Sequence, residues 1–98
     1  MTAQEQTERM MENFHWNVYA IRMNRGMTQQ ELADKAGLSH VSVSRIETTT
    51  ADDLYMITAV SIANALGVDV GSLLYKRANP PKNTRTMGRR TNREKGKL

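Results

Sequence analysis

Apolar residues in this chain recur mainly at helical spacing. In TAQEQTERMMENFHWNVYAIRMNRG, a turn of about 100° per residue aligns Met11, Phe14, Val18 and Ile21 in one stripe. Trp16, Tyr19, Ala20 and Met23 form a second stripe on nearly the opposite side. Glu5, Glu8 and Glu12 lie toward the start, where negative charge complements a helix dipole, and Gly26 ends the pattern. The first stripe predicts a core face.

Thr28-Gln29-Gln30-Glu31 fits a capping box, in which hydroxyl and carboxylate satisfy each other's backbone donors. It opens a helix from about Gln29 to Ala36 that buries Leu32, Ala33 and Ala36, and Gly37 supplies the left-handed residue that ends it. Ser39 caps the next helix, which buries Val43 and Ile46. Asp52 or Asp53 is the expected cap of a fourth helix reaching Leu66, with Ile57, Val60, Ile62, Ala63 and Leu66 packed inward. Gly67 stops that helix, and Asp69 caps a short last one with Val70, Leu73 and Leu74 inward. The expectation is a compact all-α domain of five helices without strands. Its second and third helices, joined by a tight glycine turn, form a helix-turn-helix.

Charge divides this chain in two. Residues 76–98 hold nine Lys or Arg against one acid, Glu94, for +8, whereas residues 1–75 hold five against nine, for −4. The basic segment contains Pro80-Pro81 and almost no apolar residue, so it reads as disordered from about Asn79 onward. Cysteine is absent and only two histidines occur, in no ligand-like spacing, so thiolate chemistry is excluded and no metal or other cofactor is expected. No nucleophile, base and orienting group stand together, which argues against an enzyme. The lack of a membrane-length apolar run and of a signal pattern at Met1 makes a cytoplasmic protein the expectation.

Several stretches together resemble the lambda-repressor and Cro-type (XRE-like) helix-turn-helix family. They are Asn17-Val18, Ile21-Arg22, Gly26 to Ala33, Ala36-Gly37-Leu38-Ser39, Val43-Ser44-Arg45-Ile46-Glu47 and Ile62 to Val68. The similarity spans roughly residues 14–75, leaving 1–13 as an extension of the first helix and 76–98 as a basic flexible tail. The resemblance implies sequence-specific binding of double-stranded DNA, usually as a homodimer, and commonly repression of transcription. A small domain of this type suits a phage or mobile-element repressor, or a Cro-like switch. The resemblance also implies an internal ion pair between Arg22 and Glu47, and a phosphate contact from Gln29.

Only exposed side chains near the start of a helix laid in the major groove reach base edges. In the third helix these are Ser39, His40, Val41 and Ser42, then Ser44 and Arg45 one turn later. Arg45 can offer two donors to guanine O6 and N7, His40 can donate to a guanine acceptor, and Val41 can pack on a thymine methyl. Thr28, Gln29, Thr48, Thr49, Lys76 and Arg77 are the expected phosphate contacts.

The chain departs from the family where a glycine, a basic residue and a proline often follow Glu47. Here it reads Thr48-Thr49-Thr50-Ala51-Asp52-Asp53, and Tyr19 stands where many relatives carry a basic residue. The basic tail can make good that shortage by following the DNA backbone. The stripe of Trp16, Tyr19 and Met23 has two readings: it packs under the N-terminal segment or the tail's start, or it meets a second protein. Dimerisation is expected near the last helix, at Val70, Leu74 and Tyr75. Two rival functions follow, an antitoxin-type autorepressor with a protein partner and an interaction adaptor using the helix-turn-helix as scaffold.

Overall fold

A computed structural model of the protein describes residues 1–48 and 54–81. Five helices follow in order: α1 (Ala3–Asn24), α2 (Gln29–Ala36), α3 (His40–Thr48), α4 (Met56–Leu66) and α5 (Val70–Tyr75). No strand occurs among the described residues. One core joins all five helices, with Phe14 and Val18 from α1, Leu32 from α2, Val43 from α3, Ile62 and Leu66 from α4 and Leu73 from α5 fully buried. Each such side chain contributes about 1.5–3 kcal/mol relative to staying in water.

The caps explain where most of the helices start. Thr2 and Glu5 form a capping box on α1, and these hydrogen bonds hold the exposed Glu5 carboxyl below its usual range. Thr28 and Glu31 repeat the device on α2, with the Glu31 N–H donating to Thr28 Oγ1 over 3.0 Å. Asp69 caps α5 through the Gly71 N–H. Gly37 takes φ 72° after α2, so the chain turns abruptly into α3.

Two expectations for α4 need correction. The helix begins at Met56, with Tyr55 at the N-cap position and no side-chain cap, while Asp52 and Asp53 lie outside the described residues. Ile57 and Val60 point outward, at 76% and 37% exposure, whereas Ala59, Ile62, Ala63 and Leu66 form the buried face. The buried set follows the i, i+3, i+4, i+7 spacing of a single stripe, which leaves Ile57 on the far side. MITAVSIANAL is apolar around most of its circumference, so its composition marks no inward face.

The second stripe on α1 is largely covered. Ala20 and Met23 are buried, and Trp16 and Tyr19 are half-buried. Residues Lys76–Ala78, the expected start of a flexible tail, lie strapped across α1 instead. Fully buried Asn17 donates through Nδ2 to the carbonyls of Leu73 (2.9 Å) and Lys76 (2.8 Å), and its Oδ1 accepts the Ala78 N–H at 2.7 Å. The Trp16 indole N–H donates to the Ala78 carbonyl at 2.7 Å. The expectation of disorder from Asn79 onward falls, for residues 82–98, outside the described residues.

Candidate nucleic-acid interface

The helix-turn-helix is held from beneath by α1. Arg22 donates through Nε to Glu47 Oε2 at 2.6 Å and through Nη2 to Glu47 Oε1 at 2.9 Å. The two side chains are 7% and 3% exposed, so the pair expected from the resemblance is present and desolvated. Arg22 Nη1 also donates to the Met27 carbonyl at 2.7 Å, and Gln29 Nε2 donates to Glu47 Oε1 at 3.0 Å. The carboxylate at the end of α3 thus draws α1 and the start of α2 onto one point. His15 adds a second tie, its Nδ1 meeting the Ile46 carbonyl of α3.

On this support α3 presents its outward face. Ser39, His40 and Arg45 are exposed, Val41 is 64% exposed, and Ser42 and Ser44 are half-buried. Ser39 and Ser42 serve the helix itself. Ser39 Oγ accepts the Ser42 N–H at 3.0 Å, which is the cap, and the two hydroxyls are 2.9 Å apart. His40, Val41 and Arg45 remain as the large outward side chains, and they combine a ring donor or acceptor, a methyl surface and a cationic fork.

The expected phosphate contacts are placed unevenly. Thr28 caps α2 by accepting the Glu31 N–H, one of the donors a helix start leaves without an intrahelical partner. Gln29 has an amide donor on Glu47, so its grip on a phosphate falls to its second N–H and to the backbone. The Thr48 hydroxyl donates to the Ser44 carbonyl at 2.8 Å, and Thr49 lies outside the described residues. Lys76 and Arg77 are exposed on the strap, with the Arg77 guanidinium 4.8 Å from the centroid of the Trp16 ring. Of the expected protein contacts, Val70 and Leu74 are half-buried against the core and Tyr75 is 70% exposed.

Sequence reasoning assigned no role to His15, and used Asn17 only as a point of family resemblance. A polar asparagine between core positions 14 and 18 is a signal that a buried hydrogen-bonding hub sits there. Nothing local announces that its partners lie 56 to 61 residues away. Among the described residues, no three His, Asp or Glu converge as a metal site, and no helix is long and apolar enough to cross a membrane.

Residues 18–73, more than half of the chain, match the profile of the helix-turn-helix family. This protein belongs to that family, in its XRE, lambda-repressor-like form. The comparison with curated proteins and with solved structures gives no match. Membership in the helix-turn-helix family supports a DNA-binding transcription regulator. The helix-turn-helix match ends at Leu73, and the strap of residues 76–78 lies beyond it.

Proposed function

We propose that this protein is a sequence-specific repressor that binds a pseudo-palindromic DNA operator as a homodimer in the cytoplasm. One observation carries the reading. His40, Val41 and Arg45 project from α3 while the opposite end of that helix is fixed by the buried Arg22–Glu47–Gln29 cluster. A reading head needs rigid support, because hydrogen bonds to base edges tolerate little displacement. Seated on DNA, the domain blocks polymerase at the promoter it occupies. A phage or mobile-element switch is the setting that suits so small a domain.

The outward face of α4 supports the homodimer. Tyr55, Met56 and Ile57 are 68%, 65% and 76% exposed, and no residue of α4 is charged. A two-fold interface brings each patch against its own copy, so a patch without charge meets no like-charge repulsion. A groove of about 260 Å³ between Met10, Met11, Leu54, Met56 and Leu74 extends this apolar area toward α5. We place the dimer contact there rather than on Val70. Paired heads then read half-sites about 34–36 Å apart.

The strap bears on the antitoxin and adaptor readings. Trp16, one member of the stripe that invited a second protein, is engaged by Ala78 and Arg77 of the same chain. Selection of bound duplexes from a random pool by the full chain tests the proposal. Emergence of one symmetric site supports it. Retention of DNA without any motif would move the adaptor reading to the front.

A further inference from the structure

We propose that Arg77, held over Trp16 by the strap, is a clamp for DNA phosphate on the flank of the reading helix. The inference rests on the DNA-binding reading above. Its first support is immobilisation. Arg77 is bracketed on both sides, since Asn17 holds the Lys76 carbonyl and the Ala78 N–H, and Trp16 holds the Ala78 carbonyl. These bonds fix the main chain on either side of Arg77, so its side chain projects from an anchored segment rather than from a loose end.

The second support is the chemistry left available. The Arg77 guanidinium carbon stands 4.8 Å from the centroid of the Trp16 ring, a cation–π contact that draws on charge rather than on a hydrogen bond to the indole. A guanidinium carries five N–H donors that match phosphate oxygens, and Arg77 is exposed.

Location is the third. Trp16 and Tyr19 have ring centroids 5.7 Å apart, and the Arg22 guanidinium stands 5.9 Å from the Tyr19 centroid. Arg22 in turn holds Glu47, which holds Gln29 at the start of α2. A chain of side-chain contacts thus runs from Arg77 through Trp16, Tyr19 and the buried Arg22–Glu47 pair to Gln29 at the start of α2. Residues 16 and 22 differ by roughly 9 Å of rise at 1.5 Å per residue. That is on the order of three base pairs along one strand at 3.4 Å each. Along this chain of contacts the Arg22 guanidinium is buried against Glu47, whereas Arg77, next to the exposed Lys76, is turned to solvent.

The test uses the full chain and two variants, Arg77→Gln and Arg77→Lys. Affinity is followed against salt on the selected duplex and on a scrambled one. Loss of one phosphate contact lowers the slope of log K against log salt by about 0.9, so a fourfold rise in salt weakens the glutamine variant about 3.5-fold less than the wild type. We expect that change on both duplexes, the ratio between them unaltered, and a lysine variant that keeps the wild-type slope but binds both duplexes more weakly. A glutamine variant with the wild-type slope would overturn the proposal and leave Arg77 as a cover for Trp16, whatever its melting temperature. Wild-type protein that holds both duplexes equally would contradict sequence reading alone, because the slope difference still decides the clamp. Trp16 is the only tryptophan, so its emission reports on the site directly. Duplex should shield it from iodide, and undiminished quenching would also refute the contact.

Discussion

Helices α3 and α4 are both short, both bury one stripe in the same core, and turn opposite chemistries outward. α3 exposes His40 and Arg45 beside one methyl-bearing residue, Val41. α4 exposes Met56 and Ile57, next to Tyr55, and has no charge anywhere. A DNA groove is wet and lined with donors and acceptors, so only the first face suits it. A second protein surface that excludes water suits the other face. Within one small domain the division of labour follows from what each helix leaves uncovered.

The two faces also differ in how they are supported. α3 is tied to α1 and α2 through Glu47, Gln29 and His15, whereas α4 rests chiefly on apolar packing, with the Arg25 guanidinium on the Leu66 carbonyl at its end. Glu47→Ala therefore has the largest expected effect. It strands the Arg22 charge below α3 and destabilises the fold by about 3–5 kcal/mol. Thermal or urea unfolding measures that loss, and a change under about 1 kcal/mol would mean the pair does little for α3.

Ile57→Lys strikes the other face. We expect dimer to give way to monomer in sedimentation, since each apolar side chain withdrawn from the interface forfeits about 1.5–3 kcal/mol. The monomer's own stability should move by no more than about 0.5 kcal/mol, as for ordinary surface changes. A dimer of unchanged strength would put the contact elsewhere, with Tyr75 the next residue to vary.

Arg45→Ala returns to α3 with a more local effect. It should relax preference at one base in each half-site by about 1–3 kcal/mol and leave other positions as they were. Competition with singly substituted operators would reveal this, and an even loss across all positions would recast Arg45 as a phosphate contact. Ser39→Ala is the mildest. Loss of the cap on α3 costs about 1 kcal/mol of stability, readable by thermal melting.

Much of this was legible in the sequence because its signals are local. The boxes at Thr28–Glu31 and Ser39, the glycine at 37 and the stripes of the first three helices each lie within a few residues. The Arg22–Glu47 pair was reachable only through family resemblance, since nothing in a linear pattern joins residues 25 apart. The inward face of α4 is hard to read because a helix apolar nearly all round has no periodic contrast, and the acids Asp52 and Asp53 in the sequence before it suggest too early a start. The strap escaped for a different reason. Asn17 chooses partners at residues 73–78, and only the fold brings them together.

The most direct measurement of the whole account is an amide chemical-shift map as duplex carrying a single half-site is added to the full chain. The account predicts perturbation centred on residues 28–30 and 39–45, with the outer face of α4 at Ile57 and Val60 unmoved. Shifts centred on α4 while α3 stays silent would contradict it.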